Sequence, residues 1–252
     1  MKKLTTILFL LILTLFSCTN RDEEIIDSFN SIKVGLVAYY PFNGNANDVS
    51  GNFSHGTVNG SVKLSSDRNG KPNSSYFFPK GYGNLISIPH NDLFNFNSEF
   101  TISLWFKFNE PWDYHVESLI YKSYVNSNRG WHIGVNQDNS ISDKKFGVYF
   151  ESPTAKVVPM FEFLSKENLV NKWINVTYVF KDNCMKCYLN GICSYAKQTY
   201  FKDFNNKENI TIGSSINPVT GTYLKEIDDI GFWNRALTAT EVNYLYSNGF
   251  EP

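Results

Sequence analysis

The sequence predicts an all-β sandwich, and three observations lead to this fold class. Aromatic residues make up 16% of the 252-residue chain, which holds 21 Phe and 15 Tyr. Many of them stand in short runs with β-branched residues, between turns rich in Gly and Asn. Residues 100–108 and 172–180 alternate between two faces with the two-residue period of a strand. Residues 34–250 therefore suit one large domain, and no repeat of solenoid or propeller spacing interrupts them.

The amino terminus is typical of an exported protein. Two lysines precede an apolar run at residues 4–16, which is shorter than the roughly 20 residues that a membrane-spanning helix needs. Residues 15–18, Leu-Phe-Ser-Cys, resemble the lipobox of bacterial lipoproteins. We therefore expect a signal peptide at residues 1–17 and a lipidated Cys18. An ordinary signal peptide with an incidental Cys18 is the alternative.

Residues 18–33 are predicted to be a disordered tether. Their polar composition, which includes Asp-Glu-Glu at residues 22–24, cannot form a core. By resemblance to lipoproteins of Gram-negative bacteria, Thr19 in place of Asp argues against retention in the inner membrane. The acidic run resembles signals for the cell surface, although a merely solvated linker is the alternative. The expected location is the outer membrane, exposed at the cell surface and held there by the lipid anchor alone.

The first part of the domain combines strands with two unusual loops. A strand at residues 34–42 leads into a long Asn/Gly-rich loop, residues 43–56, whose only carboxylate is Asp48. A loop of this length is usually functional or held by other groups. A second loop after residue 108 carries Trp112 and Tyr114, which combine an apolar face with a polar group and are our candidates for stacking on a sugar ring. The alternative is that they anchor the loop on the sandwich.

The two central strands each place a Trp on their more polar face. Trp105 lies in the first and Trp173 in the second. We expect a loop or the terminal helix to cover these rings, in preference to a ligand.

A hairpin at residues 184–193 contains three cysteines around an Asn190-Gly191 turn, a strong hairpin signal. Zinc and redox roles are unsupported, because there is no second Cys or His pair at zinc spacing and no βαβ context. Export permits a disulfide, for which Cys187 and Cys193 are the candidate pair. A three-residue loop bulged at Gly191 would place them opposite each other, whereas a two-residue turn would point them to opposite faces.

The closing segment, residues 223–246, reads as a strand, a turn and a short helix. Ile227 and Ile230 are three residues apart, so the two-residue period slips and predicts a bulge at Asp228 and Asp229. Thr238 and Glu241 form a capping-box pattern at the start of the helix, and Gly249 ends it.

Two stretches carry a family resemblance. Residues 35–60, GLVAYYPFNGNANDVSGNFSHGTVNG, and residues 226–242, EIDDIGFWNRALTATEV, resemble laminin-G-like domains of the concanavalin A-like jelly-roll group. The resemblance implies a jelly-roll sandwich of two antiparallel sheets with one short C-terminal helix. It also implies ligand binding, most often to glycans or proteins, and frequently a structural calcium.

The same resemblance suggests the calcium ligands, because laminin-G-like relatives hold these two stretches near one another. Calcium takes about six to eight oxygen ligands. We expect Asp48 and Asp228 to supply carboxylates, with Asp229 or a carbonyl of residues 51–55 completing the shell. The alternative is that Asp48 caps a turn and that the acidic pair is solvated.

Composition and motifs exclude several functions. A net charge of −1 without a basic stripe argues against nucleic acid as a partner. Glu226 and Asp228 match the first two positions of the Glu-x-Asp-x-x-Glu pattern of laminarinase-type glucanases, but the last glutamate is missing, and a glycosidase needs paired carboxylates. We therefore expect a surface-anchored, non-catalytic glycan-binding lipoprotein. An adhesion module that binds a protein is the alternative, and a glycoside hydrolase is a distant third.

Overall fold

The computed structural model describes residues 27–96, 98–110, 117–123, 130–138, 145–152, 155–157, 164–165, 169–199, 205–213 and 225–250. These residues form two antiparallel sheets of a jelly-roll sandwich, an α-helix near each end and a one-turn 3₁₀-helix at Asp92–Phe94. The strands in chain order are β1 (Leu36–Tyr40), β2 (Thr57–Asn59), β3 (Lys63–Ser65), β4 (Ser75–Phe78), β5 (Leu85–Ile88), β6 (Phe100–Phe108), β7 (Glu117–Ser123), β8 (Gly130–Asp138), β9 (Lys145–Ser152), β10 (Ala155–Val157), β11 (Leu164–Ser165), β12 (Ile174–Lys181), β13 (Cys184–Leu189), β14 (Ile192–Gln198), β15 (Ile210–Ile212) and β16 (Lys225–Trp233).

Each sheet contains strands that are distant in sequence. The first sheet has the order β14-β13-β12-β6-β16-β4-β3, and β1 also pairs with β16. The second sheet has the order β10-β9-β8-β7-β15-β5-β2, and β11 pairs with β9. The predicted fold class, a jelly-roll sandwich of two antiparallel sheets, is confirmed.

The main hydrophobic core lies between the sheets, and the predicted strand faces supply it. The apolar side chains of β6 and β12 point inward, as their alternation predicts; they are Phe100, Ile102, Leu104, Phe106, Phe108, Ile174, Val176, Tyr178 and Phe180. The opposite face of the first sheet carries Trp105 and is partly covered by the helices. The candidate site lies on this outer face.

A smaller apolar cluster joins the helices to the outer face of the first sheet. The C-terminal helix, α2 (Ala239–Asn248), begins with the predicted capping box of Thr238 and Glu241 and ends at Gly249. Its apolar side chains pack on the outer face together with the first helix; the cluster consists of Ile32, Val179, Tyr188, Trp233, Leu237, Val242, Tyr244 and Leu245. None of the helices in the described residues has the length and apolarity needed to cross a membrane.

The predicted disorder of residues 18–33 is wrong for its last part, because residues 27–33 form a helix, α1. Ile32 of this helix is fully buried, and the indole Nε1 of Trp233 donates to its carbonyl oxygen at 2.6 Å. Phe29, three residues earlier, packs against the same cluster. Contacts with the end of the chain therefore order a segment whose own composition is too polar to form a core. Residues 1–26, including Cys18, lie outside the described residues.

An ion pair fixes α1 to α2. Arg235 donates to both carboxylate oxygens of Glu241, at 2.6 and 3.0 Å, and to the carbonyl oxygen of Ser31 at 2.6 Å. Burial acts to raise the pKa of Glu241, but hydrogen bonds from Arg235, from the Ser31 hydroxyl and from the Thr238 amide outweigh it and lower this pKa to about 2. Glu241 is therefore held as a carboxylate at neutral pH.

The predicted disulfide between Cys187 and Cys193 is wrong. Asn190 and Gly191 form a two-residue turn with φ of +48° and +77°, and Cys193 lies opposite Tyr188 in the ladder. Cys187 is buried in the main core, whereas Cys193 is exposed. A turn of this length points the two thiols to opposite faces, and the three cysteines of the hairpin are free.

Candidate functional site

The candidate site begins at the predicted bulge in β16. The pairing of β16 with β6 shifts register between Asp228 and Gly231, and Asp229 adopts a left-handed φ of +47°. On the other side of β16, the neighbour changes from β4 to β1 across the same residues. The bulge therefore directs both carboxylates toward the outer face, at the point where the neighbour of β16 changes from β4 to β1.

Arg68 is the cation that faces this acidic pair. It follows β3 in a turn in which Asp67 Oδ1 accepts the amide hydrogens of Asn69 and Lys71, each at 2.8 Å. Arg68 Nη1 donates to Asp229 Oδ2 and lies 3.6 Å from Asp228 Oδ2. The three side chains are largely shielded from solvent, so this contact is a partly buried ion pair.

Aromatic rings surround the ion pair on two sides. The guanidinium carbon of Arg68 lies 4.7 Å from the centroid of the Trp105 ring, which stacks in turn on Tyr246 of α2. Tyr39 stacks on Phe250 with a centroid distance of 4.4 Å, and its hydroxyl donates to Asp229 Oδ1 at 2.5 Å. The cation–π contact and the two stacked pairs keep the charged groups in fixed positions.

Burial changes the acid–base chemistry of these groups. It raises the pKa of Asp228 well above its usual range, and repulsion from Asp229 adds to the effect while Arg68 opposes it. Burial and the neighbouring Asp229 also raise the pKa of Tyr39, so its phenol remains a hydrogen-bond donor at neutral pH. Burial acts to lower the pKa of Arg68, but Asp229 outweighs it and the pKa is raised.

Asp48 lies on the other side of Tyr39 and has a different role. Its Oδ1 accepts the amide hydrogens of Tyr39 at 3.0 Å and Ser50 at 2.9 Å, and its Oδ2 accepts that of Ser54 at 3.1 Å. The side chain is buried. The single carboxylate of the Asn/Gly-rich loop therefore ties that loop to β1.

The three predicted calcium ligands are not brought together as one site. Tyr39 links Asp48 to Asp229, so the two stretches do lie near each other, as expected. However, backbone amides occupy both oxygens of Asp48, and the acidic pair faces a guanidinium. Within the described residues, no group of three or more His, Cys, Asp or Glu side chains could hold a metal ion. The arrangement of these three side chains therefore does not fit the calcium site that the family resemblance implies.

A cavity of about 440 Å³ opens next to the ion pair, and we call it the acidic-pair cavity. Asp228, Asp229, Arg68 and Tyr39 form part of its wall, and exposed polar side chains border it. The lining residues are Tyr39, Pro41, Asn43, Val49, Asp67, Arg68, Asn69, Lys71, Ser74, Asp228, Asp229, Asn248, Gly249 and Phe250. Lys71 Nζ donates to Asn43 Oδ1 at 3.1 Å across part of this border.

The predicted aromatic contacts have three different outcomes. Trp112 and Tyr114 lie outside the described residues. Trp105 is buried under Tyr246 of the terminal helix, as expected. Trp173 is only partly buried, and the ammonium of Lys107 lies 5.2 Å from its ring centroid.

Sequence reasoning missed Arg68, Tyr39 and Lys71. Arg68 and Asp229 are 161 residues apart, and a turn signal at residues 67–70 says nothing about such a partner. The position of Tyr39 in the first strand predicts burial but not its hydroxyl contact. The unusual acidic pair was the available signal, because partly buried carboxylates require a positive partner or protonation.

The chain matches a known family and several solved structures. A laminin-G-type family model, described as the concanavalin A-like lectin/glucanases superfamily, matches residues 80–243. No curated protein matches the chain by sequence.

The similar structures share the fold at low sequence identity. One is the botulinum neurotoxin serotype D ligand binding domain in complex with N-acetylneuraminic acid (TM-score 0.64, 18% identity, covering 87% of this chain and 52% of that chain). Another is the binding domain of Paraclostridial Mosquitocidal Protein 1 (TM-score 0.63, 20% identity, 85% and 52%). A third is Domain 4 of AbnA, a GH43 extracellular arabinanase from Geobacillus stearothermophilus, in complex with arabinotriose (TM-score 0.58, 19% identity, 84% and 98%). The chain spans about half the length of the neurotoxin and mosquitocidal-protein chains.

Proposed function

Because this chain belongs to the laminin-G-type family of the concanavalin A-like lectin/glucanase superfamily, we propose that it binds a glycan without catalysis. The observation that carries the proposal is the acidic-pair cavity. Its volume of about 440 Å³ falls within the usual range for small-molecule sites, roughly 300–1,000 Å³. Amide, ammonium and carboxylate groups around it can exchange hydrogen bonds with sugar hydroxyls.

The solved structures support this proposal in general terms. The neurotoxin domain was solved with N-acetylneuraminic acid and the arabinanase domain with arabinotriose. Both ligands are saccharides, although they differ in charge and ring type. They favour a saccharide as the ligand class without selecting one sugar.

A glycan array on the purified protein tests the proposal. Lys71→Ala should weaken retention of any bound saccharide, because this exposed ammonium borders the cavity and is not part of the core. Phe53→Ala is the matched control, since Phe53 is exposed and does not line the cavity. An array without hits would contradict glycan binding. Binding that Lys71→Ala leaves unchanged would show that the glycan binds outside the acidic-pair cavity.

Trp112 and Tyr114 remain candidate contacts for the same glycan. Replacing either with Ala should weaken retention in affinity electrophoresis with little change in the melting temperature, because a loop aromatic contributes chiefly to the ligand. Loss of one ring contact costs on the order of 1 kcal/mol. Normal retention by both variants would show that these rings only anchor the loop.

We infer that the site does not hydrolyse its ligand. Glu226 is held by Ser65, Asn109 and Lys107 and is not free to attack a sugar. The neurotoxin and mosquitocidal-protein structures are named as binding domains. Incubation with β-glucans and other polysaccharides should release no new reducing ends, and turnover that Glu226→Gln abolishes would reverse the inference.

We also propose that Cys18 is lipidated and holds the domain at the outer membrane, exposed at the cell surface. The lipobox-like residues 15–18 support this proposal. Cys18→Ala should release the protein into the soluble fraction. Protease applied to intact cells should degrade the wild-type protein only if it faces outward, which separates the two sides of the outer membrane.

A protein partner is the second candidate, and one observation favours it. Phe53 is 76% exposed and Val49 is 57% exposed on the same loop, which presents apolar groups to solvent. Apolar groups of this kind can contribute to a protein interface. Adhesion to a protein-coated surface that Phe53→Ser reduces, together with an array without hits, would favour this candidate over the glycan.

A further inference from the structure

One turn after β3 carries two basic side chains of the acidic-pair cavity, Arg68 and Lys71. The amide of Asp67 donates to the carbonyl oxygen of Lys71 at 3.0 Å, and the amide of Gly70 donates to that of Asp67 at 3.1 Å. Asp67 Oδ1 also accepts the amide hydrogens of Asn69 and Lys71. These bonds fix the backbone from which a guanidinium and an ammonium reach the cavity.

Arg68 has unused hydrogen-bond donors. A guanidinium carries five N–H groups, and in Arg68 the hydrogen bond to Asp229 uses Nη1 alone. Among the described residues, Nε and Nη2 have no hydrogen-bond partner, and neither nitrogen is fully buried. Gly249 leaves room beside them, because a Cβ at this position would lie 2.8 Å from Nη2. Nε and Nη2 form one edge of the guanidinium, and such an edge can bind both oxygens of a carboxylate.

Lys71 has no carboxylate partner among the described residues. Its ammonium donates to the amide oxygen Oδ1 of Asn43 at 3.1 Å, and this is its one contact there. An ammonium has three N–H donors, so two remain available. Because Lys71 is exposed at the border of the cavity, a ligand can reach these donors.

The acidic side chains of the cavity are already hydrogen-bonded or uncharged. Both oxygens of Asp229 accept hydrogen bonds, Oδ1 from the Tyr39 hydroxyl at 2.5 Å and Oδ2 from Arg68. Asp67 Oδ1 accepts the two amide hydrogens of its own turn. Asp228 is 1% exposed, and burial raises its pKa to about 9, so this carboxyl is largely uncharged at neutral pH and repels an anion little. The two cations, by contrast, can bind a further acceptor.

We infer that the ligand of the acidic-pair cavity is an acidic saccharide, whose carboxylate accepts hydrogen bonds from Nε and Nη2 of Arg68 and from Lys71. This inference rests on the proposed glycan binding and specifies the chemical class of that glycan. Hydrogen bonds that involve ionised groups are roughly twice as strong as neutral ones. A sugar hydroxyl would fill the same donors without compensating the charge of Lys71.

Calorimetry at pH 7 with matched pairs of probes tests the inference. The probes are glucuronate, galacturonate and N-acetylneuraminate, and each is compared with its own methyl ester, which keeps the sugar and removes the charge. At least one acid should bind the wild-type protein roughly tenfold more tightly than its ester, since a charged hydrogen bond exceeds a neutral one by an amount of this size. Lys71→Gln should lose most of this preference, and Lys71→Arg should retain it.

Lys186→Gln is the matched control for the loss of charge. Lys186 is exposed on β13, which is separated from β16 by β12 and β6, and it does not line the cavity. The control should therefore prefer the acid as strongly as the wild type does. Equal losses of preference in Lys186→Gln and Lys71→Gln would show that the net charge of the protein selects the acid, and would overturn the inference.

The outcomes separate this inference from the proposed function. Esters that bind as tightly as their acids, or a glycan array whose hits are all uncharged or cationic saccharides, overturn the inference and leave glycan binding intact. Absence of binding by all six probes also overturns the inference, whereas an array without hits overturns both. Because Lys71 is exposed, its variants should fold, and an unchanged melting temperature confirms that a change in preference is not a loss of structure.

Discussion

Replacement of Arg68 by Ala should destabilise the protein strongly, because it leaves the acidic pair without a cation. Arg68, Asp228 and Asp229 have side-chain exposures of 16%, 2% and 15%, so water screens the unpaired charges poorly. Removal of one partner from a buried ion pair typically costs about 3–5 kcal/mol. The variant also loses the contact of the guanidinium with Trp105.

The expected loss of unfolding free energy in Arg68→Ala follows from the geometry of the ion pair. Arg68 Nη1 donates to Asp229 Oδ2, and two unit charges at an ordinary salt-bridge distance of about 3 Å interact with about 5–6 kcal/mol at an effective dielectric constant of about 20. Burial raises the pKa of Asp228 to about 9, so Asp228 is largely protonated at neutral pH and adds little to this attraction. Water that reaches the partly exposed carboxylate of Asp229 offsets part of the loss. We therefore expect a decrease of about 3 kcal/mol in the free energy of unfolding. For a domain of this size, this corresponds to roughly 10 °C in Tm.

Urea unfolding of four proteins tests the origin of this loss. The wild type, Arg68→Ala, Asp229→Asn and the double variant form a double-mutant cycle. If the unpaired carboxylate causes the loss, Asp229→Asn should restore stability in the Arg68→Ala background and reduce it in the wild type. Additive effects, or a loss below about 1 kcal/mol for Arg68→Ala, would refute the assignment of Arg68 as the counterion of the acidic pair.

Three further predictions concern pH, calcium and thiols. Because the pKa of Glu241 is lowered from 4.5 to about 2 in the folded protein, its stabilising contribution is present above pH 4.5 and is lost as the pH falls toward 2. A plot of the free energy of unfolding against pH should therefore be flatter between pH 4.5 and 2 for Glu241→Gln than for the wild type. Since amides and a guanidinium occupy the predicted calcium ligands, Tm should be the same with calcium and with chelator, and a rise that Asp48→Ala or Asp228→Ala abolishes would reinstate the sequence prediction. A thiol reagent should label exposed Cys193 in the native protein and buried Cys187 only after unfolding, because burial also raises the pKa of the Cys187 thiol; equal protection of both thiols would contradict the hairpin register.

Short sequence patterns predicted the bulge, the hairpin turn, the helix cap and the strand faces, because each of these depends on residues close together in the chain. The slip of period between Ile227 and Ile230 located the bulge, because a strand cannot keep both residues inward without an extra residue. The Asn190-Gly191 turn and the capping box at Thr238 were also predictable, since each satisfies backbone groups within a few residues. The faces of β6 and β12 followed from alternation alone.

The remaining parts depend on contacts between residues distant in sequence. The helix α1 is held in place by Trp233, whose indole donates a hydrogen bond to the carbonyl oxygen of Ile32, 201 residues earlier in the chain. The spacing of Phe29 and Ile32 is too short a pattern to predict a helix by itself. Asp48 was identified as unusual, but its partners are backbone amides, and any residue can supply those. The candidate site was therefore only half predictable: its carboxylates were visible in the sequence, whereas Arg68 was not.

The pairing of the first strand with the last has a consequence for how the protein folds. β1 lies against β16, so that Tyr40 is opposite Ile230, and the acidic pair is completed by contacts from residues 39 and 68. A sheet with such distant neighbours has a high contact order, and loop closure must precede its most important contacts, so folding should be slow. The sheet cannot form until the last part of the chain is present. A nascent chain thus cannot complete this sheet, and stays accessible to chaperones and proteases, until the residues of β16 have been synthesised.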